Sequence, residues 1–549
     1  MPNIVVIRDI IEPQLISSRG FDCENHTVTT DDGYILGIFR IVNNKWKGDT
    51  KPILLWHGLG ASSDLWLVLN DGQLSRDGIY SEQNGSVVNN CHKELTSNIA
   101  FTLSACGYDV WLGNSRGTRY SNTHIDPDMD NFWNYTLTEL GVYDVKNTIE
   151  YILKQTNKAS LPYIGHSMGS TIMFVLLSLE PDFQRYIKPF LAFAPIVFMG
   201  NTGSIIRLLT PLVSLLSFLV IPLGLPQELA QFIAQFICAN AVTQPICAAL
   251  MYSYEGFNPF LQWPVLILQN SIPVTIAKSL ELSSSKIFLQ YGQFILDDRF
   301  HKFDYGPIQN IQVYGQPMAP DYPLDKIASN YIGLYKGSND LLSDLTDVNK
   351  LVSRLKVPLV DNYLVPYPLW NHGDPVTSMF DNFFLNGQPQ LIESRGFKCE
   401  KHLVTTDDGY NIGVFRIINP KWRGDTKPIL LWHMLSFSSD VWLFSSPGQL
   451  SPEGIYSEQN GSLVNNCGTR LTSNIAFTLS SCGYDVWLGN TRGNQYSNTH
   501  QNPSFNNLWN YTFTEVDSIA YIGHSMGTTA MFVLLSLIPK FQRHVKPFI

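Results

Sequence analysis

The chain is short of charge and has no concentration of it. Charged residues make up 15% of 549, with Lys+Arg 37 against Asp+Glu 46 for a formal net charge of −9. No run of Lys or Arg supplies the electrostatic footprint that phosphate neutralisation requires, which excludes nucleic acid as a partner. Cysteine is scarce too. Eight in a chain of this length are too few for a disulfide scaffold, and no CxxC or His-x-Cys cluster offers metal-ligand spacing, so neither a metal nor a cofactor is assigned. The opening residues MPNIVVIRDIIEPQ lack a basic segment leading into an apolar core, so no signal peptide is visible.

What is present describes a folded protein. With 44% hydrophobic and 12% aromatic residues, disorder, collagen and coiled coil are out. Length alone sets a prior of roughly three to four domains. The stretch 208–227, LLTPLVSLLSFLVIPLGLPQ, carries no charge and is about the length that spans a bilayer. Pro211, Pro222 and Pro226 interrupt it in mid-domain, which favours a hydrophobic cap over an apolar binding site rather than a membrane helix. Sequons stand at Asn25, Asn84, Asn134, Asn460 and Asn510, compatible with a glycosylating, oxidising compartment.

The chain repeats itself. PQLISSRGFDCENHTVTTDDGYILGIFRI from Pro13 returns from Pro389 as PQLIESRGFKCEKHLVTTDDGYNIGVFRI, an offset of 376. Cys23, Cys91 and Cys106 recur as Cys399, Cys467 and Cys482. A match this long is a domain duplication, since solenoid periods run only to about 50 residues. Between Ser167 and Ser525 the offset has fallen to 358, so the second copy lacks 18 residues. The loss falls on LGVYDVKNTIEYILKQTN, where Val145, Ile149, Ile152 and Leu153 stand at helical spacing. This divides the chain into residues 1–388, with a cap at about 197–305, and a truncated copy at 389–549.

Within the first copy, HTVTTDDGYILGIFRI reads as a hairpin across Asp32-Gly33. PILLW, YDVWLG, LPYIG and PFLAFAP are short apolar strands between helical or loop stretches. That pattern gives an α/β fold with a mostly parallel central sheet covered on both faces and an inserted helical cap. NYIGLY and DNYLVPY resume as strands, and PVTSMFDNFF closes as a helix.

Gly165-His166-Ser167-Met168-Gly169 fits G-x-S-x-G, a pattern that chance supplies about 0.2 times in such a chain. Its setting is the stronger signal. LPYI before it is a strand and STIMFVLLSL after it an apolar helix, so the serine sits on a strained strand-to-helix turn. A serine needs an imidazole to take its proton and a carboxylate to hold that imidazole, in the order Ser, acid, His. Only His301 and His372 follow Ser167 before the repeat restarts. His301, among charges in DDRFHKFDYG, reads as a surface residue, leaving His372 in PLWNHGDP as base. Asp340 is the chosen acid, with Asp344 and Asp347 as rivals, either of which could cap the helix that DLTDVNKLVSRL suggests. The backbone N–H groups of Met168 and of Leu59, in WHGLG, are the oxyanion donors.

WHGLG, GYDVWLGNSRG, FWNYTLTELGVYDV, YIGHSMG, NDLLSD and NHGD, in this order, resemble the acid lipase family of α/β-hydrolases over about residues 14–385, and in part over 390–549. The resemblance implies hydrolysis of triacylglycerol or cholesteryl esters, transient binding to a lipid interface, a secreted or lysosomal location and an acidic working pH. It matches Ser167, Asp340 and His372 to the family's triad, Leu59 and Met168 to its oxyanion positions, and Cys238 with Cys247 to a cap disulfide. Departures are Met168, where the family usually has Gln, and Gly60, where it usually has Leu. Both positions act through the backbone, so the chemistry survives either change.

The second copy is expected to be silent. After Ser525 there is no Asp or Glu, the only His is His544, and the oxyanion loop has become HMLSF. A joining of neighbouring duplicated genes would explain its missing helix, its truncation and the absent signal peptide together; one continuous message for all 549 residues would refute that. Two other readings compete with a hydrolase: a non-catalytic lipid-binding protein on the same fold, and a protein anchored at 208–227. Oligomeric state is not legible.

Overall fold

A computed structural model describes residues 12–67, 72–256 and 281–377, apart from short stretches within them, and in the second half parts of 389–501 with 521–523. The chain divides into two compact units, Met1–Asp381 and Asn382–Ile549.

Among the described residues the main sheet of the first unit is built on eight strands: β1 (Asp22–Thr29), β2 (Tyr34–Val42), β3 (Lys51–Trp56), β4 (Tyr108–Gly113), β5 (Leu161–His166), β6 (Ile187–Phe193), β7 (Ile332–Lys336) and β8 (Asp361–Leu364). They lie in the order β1-β2-β4-β3-β5-β6-β7-β8, and Thr123–His124 adds a ninth strand beside β2. The β1–β2 pair is antiparallel across Asp32-Gly33, with Gly33 at φ 95°. From β4 onward every neighbouring pair is parallel.

Period-two alternation distributes the apolar residues to both faces. Leu54 and Trp56 of β3, Trp111 of β4 and Tyr163 of β5 enter one core, while Ile53, Leu55, Val110, Leu112 and Ile164 enter the other. Helices cover the first of these: α1 (Lys146–Thr156), which continues a π-helical turn at Leu140–Val145, and α2 (Met168–Leu179). Ile149 and Ile152 of α1 are fully buried, so the 18 residues missing from the second copy are a core-forming element here. Fully burying each such side chain is worth roughly 1.5–3 kcal/mol.

The cap lies between β6 and β7. Its described residues include a 3₁₀ segment Ile205–Leu212, a helix Gln227–Phe232 running into π turns at Ile233–Cys238, α3 (Gln244–Glu255), α4 (Ser285–Asp297) and α5 (Pro307–Tyr314). The Cys238–Cys247 disulfide joins two of these helices. The uncharged stretch 208–227 is broken, with Ile205–Leu212 ending inside it and a short strand at Pro222–Leu223. Among the described residues no helix is long and apolar enough to cross a membrane.

His301 departs from expectation. It is completely buried rather than on the surface, with Nδ1 2.6 Å from the Lys302 carbonyl and Nε2 3.3 Å from Asp297. Its ring packs edge-on against Phe294 at 5.5 Å. The Nδ1 hydrogen bond and the nearby Asp297 carboxylate offset part of the cost of burying the ring, whose Nε2 makes no hydrogen bond.

The second unit repeats the start of the first. Strands β9 (Lys398–Thr405), β10 (Tyr410–Ile418), β11 (Lys427–Trp432), β12 (Tyr484–Gly489) and β13 (Tyr521–Gly523) lie in the order β9-β10-β12-β11-β13. Its Cys467–Cys482 bridge parallels Cys91–Cys106 in the first. Ser525, His544, Asn460, Asn510 and the loop from Met434 lie outside the described residues.

Candidate active site

The site sits at the C-terminal ends of the parallel strands, where a strand-to-helix turn raises a side chain above the sheet. β5 ends at His166 and α2 begins at Met168, so Ser167 alone makes the turn, at φ 52° and ψ −117°. For a residue with a Cβ this is a strained backbone, of order 1–3 kcal/mol. The flanking glycines permit it: a Cβ on Gly165 would meet the Gly169 carbonyl at 2.6 Å, and one on Gly169 would meet the Trp56 oxygen at 2.5 Å.

His372 brings Nε2 to 2.8 Å from Ser167 Oγ. Its Nδ1 lies 2.9 and 3.0 Å from the two oxygens of Asp340. Asp340 follows β7 and is held by its neighbours, Oδ1 accepting from the N–H groups of Leu342 and Ser343 at 2.9 and 2.7 Å. Burial disfavours a charged His372. The Asp340 carboxylate outweighs that, by charge and by hydrogen bond, with Glu255 adding to it, and the histidine pKa stands above its ordinary value. The two rival acids are occupied elsewhere. Asp344 caps α6 (Leu345–Arg354) by accepting from Thr346 N–H at 2.7 Å. Asp347 accepts from the backbone and side chain of Asn201 at 2.9 and 2.8 Å.

The loop after β3 comes close to the serine, since a Cβ on Gly58 would lie 3.1 Å from Ser167 Cβ. Leu59 follows directly, and Met168 opens α2, whose N-terminus favours negative charge beside the serine. His57 braces the loop: its Nδ1 is 2.8 Å from the Gly58 carbonyl and its Nε2 3.1 Å from Ser115 N. Complete burial pushes its pKa down to about 4.

Two contacts lie beyond the reach of local sequence signals. His166 Nε2 donates to the main-chain carbonyl of His372 at 2.8 Å, across 206 positions. Burial, then the neighbouring charge of His372, lower the His166 pKa to about 3. The Cys91–Cys106 bridge is the other; only the recurrence of both cysteines in the second copy could have suggested it. Of the sequon asparagines, Asn25 and Asn134 are exposed, and Asn134 accepts from Lys286 Nζ at 2.6 Å. Asn84 lies outside the described residues.

Sheet order and strand-to-helix serine turn together define an α/β-hydrolase. The family described as alpha/beta hydrolase fold matches residues 51–187, and the partial alpha/beta-hydrolase lipase region matches 13–70 and again 388–446. Bovine gastric triacylglycerol lipase is 31% identical over 382 residues, 67% of this chain and 86% of that protein. Human lipase member K is 31% identical over 371 residues, 66% and 85% of the two chains. The rat gastric enzyme is 29% identical over 376 residues, 67% and 87%. The chain belongs to the acid lipase family of α/β-hydrolases, and it is a serine carboxylic ester hydrolase of the lipase class.

Proposed function

We propose that residues 1–388 form a near-complete lipase unit that hydrolyses lipid esters, triacylglycerol or cholesteryl ester, through an acyl-serine intermediate. The observation that carries this is the run of hydrogen-bond distances from Ser167 Oγ to His372 and on to Asp340. His372 takes the Ser167 proton as Oγ bonds to the ester carbonyl carbon. The oxyanion that forms is received by the N–H groups of Leu59 and Met168. Collapse breaks the bond to the alcohol, which leaves with the proton from His372. A water then gives a proton to the same histidine as its oxygen bonds to the acyl carbon; the acyl–Oγ bond breaks, His372 returns that proton to Ser167 Oγ, and the fatty acid leaves. Asp340 holds the imidazole with Nε2 facing the serine.

The names of the gastric relatives support triacylglycerol as substrate. The cap suits an apolar acyl chain and a transient contact with lipid, since Leu208 is 75%, Phe236 64% and Leu250 62% exposed. The same relatives, together with the disulfides, support a secreted or lysosomal protein. Cys238–Cys247 serves as the cap's staple, Asn25, Asn84 and Asn134 as glycan acceptors, and residues 389–549 as an inactive copy.

The test is turnover of soluble and emulsified esters by the full chain beside its Ser167→Ala variant. Hydrolysis of long-chain esters that vanishes in the variant is expected. Folded protein that binds lipid but turns over no ester would instead establish a carrier on the same fold.

A further inference from the structure

The cap touches the acid loop at Thr202–Ser204, where the Thr202 hydroxyl and the Gly203 and Ser204 N–H groups donate to the Leu341 carbonyl, and it reaches the loops around the site at two further places through main-chain groups of its own. The first is the C-terminal end of α3. The Glu255 carbonyl accepts from His372 N–H at 3.2 Å and from Leu341 N–H at 3.3 Å. The next carbonyl, Gly256, accepts from the Asn371 amide at 2.8 Å. One turn of cap backbone therefore holds the loop that carries the base and the loop that carries the acid. The fit is close: Gly256 adopts φ 117°, and a Cβ there would come within 2.0 Å of the Asn339 carbonyl.

The second place is Glu281, where the described chain resumes before α4. Its N–H donates to the Gly60 carbonyl at 2.7 Å, on the loop that contains Leu59. Its carboxylate accepts from Arg119 N–H at 3.1 Å and pairs with the Arg119 guanidinium. That guanidinium also stands 3.7 Å from Asp64, in the short helix at Ser63–Trp66 that follows the same loop. Glu281 and Asp64 are both buried, so the pairing works at reduced dielectric, where losing one partner leaves a charge uncompensated.

We infer that Gly256 and Glu281 are positioning residues for the hydrolytic reaction: through them the cap sets the spacing between the His372 and Asp340 loops and the height of the Leu59 N–H above Ser167. The inference rests on the proposed function. It gives the cap a task separate from covering the substrate. Catalysis needs groups held within about 0.5 Å of productive geometry, and both catalytic loops are irregular segments beyond strand ends. Four hydrogen bonds from Glu255, Gly256 and Glu281 to these loops replace the rigidity that a helix or strand would have provided.

A cap that only admits lipid and a cap that also aligns the catalytic groups differ on a small soluble ester, which needs no lipid interface. The full chain is assayed on p-nitrophenyl butyrate and on emulsified tributyrin, as wild type, Ser167→Ala, Gly256→Ala and Glu281→Gln. Wild-type turnover lost in Ser167→Ala establishes the reading on which the inference rests; its absence removes both. Given that turnover, each positioning variant is expected to lower kcat on the soluble ester by roughly 10- to 100-fold, with KM within about threefold of wild type. Wild-type kcat on the soluble ester, with loss confined to the emulsion, overturns the inference. So does a loss that appears only as raised KM. Should Gly256→Ala not fold, Glu281→Gln decides alone, because it keeps volume and removes only the charge that pairs with Arg119.

Discussion

His166, the residue before the serine, donates its Nε2 proton to the main-chain carbonyl of His372 at 2.8 Å. The bond requires a proton on His166 Nε2, which the neutral Nε2–H tautomer supplies. Burial enforces the same state, taking His166 to about 3 and His57 to about 4. In the unfolded chain both would titrate near 6.5. Below that pH the unfolded state binds protons that the native state refuses, so stability falls as pH drops from about 6.5 toward the folded values. The raised pKa of His372 acts in the opposite sense, one group against two. Thermal midpoints measured from pH 7 to pH 4 should decline, and His166→Gln should flatten the decline by up to about 1.4 kcal/mol per pH unit. An unchanged slope in the variant would refute the assignment.

Ser167→Ala in the full chain tests both copies at once. Residues 526–549 contain no Asp or Glu, and the proposed function takes residues 389–549 as an inactive copy. Ester turnover should fall by about 10³-fold or more, with no second activity beneath it. Residual hydrolysis removed by a further Ser525→Ala change would show that the second copy works.

Asp340→Asn should change the pH profile as well as the rate. The carboxylate holds the His372 pKa above its ordinary value against the effect of burial. A base must be deprotonated to act, so wild-type kcat/KM should fall as pH drops through a value above 6.5. Without the charge, burial alone remains, and the acidic limb should move to lower pH while kcat drops by about 10⁴-fold. The wild-type direction runs against the acidic working pH that family resemblance implies. A limb well below 6.5 in the wild-type enzyme would show that substrate or interface reverses the effect of Asp340.

Arg116 is the main buried cation of the first unit. It is 1% exposed, bonded to Asp144 at 2.7 Å and to Asp32 at 2.6 and 2.9 Å, and lies 3.8 Å over the Tyr34 ring. It ties the β1–β2 turn to the helical turn ahead of α1. Arg116→Leu leaves two carboxylates without this partner and should cost about 3–5 kcal/mol, read from denaturant melts. In the second copy Arg492 pairs with Asp408, but the counterpart of Asp144 falls among the 18 missing residues. A loss below about 1 kcal/mol in Arg116→Leu would contradict this account.

Part of the site was legible because its signals are local. The serine turn needs a strand, small flanking residues and a helix in direct succession, and 161–179 spells all three in order. The β1–β2 hairpin and the alternating faces of β3 are written within a few residues each. The choice among Asp340, Asp344 and Asp347 was not local, since all three lie within one short segment. The path of the chain after β7 turns Asp340 toward His372, hands Asp344 to the start of α6 and buries Asp347 on Asn201. His301 was misread for the same reason: neighbouring charges describe its sequence, whereas the packing of α4 describes its surroundings.

By itself the sequence determined the succession of strands and helices, the duplication and the residue types at the serine turn, because periodicity and turn chemistry act over distances of a few residues. Only the tertiary structure decided which carboxylate meets the imidazole, that His166 supports His372, and that Glu255, Gly256 and Glu281 grip the catalytic loops. Those contacts join positions tens to hundreds apart in the chain. Their free energy depends on burial and on distances of about 3 Å, quantities that exist only once the sheet has brought its strand ends together.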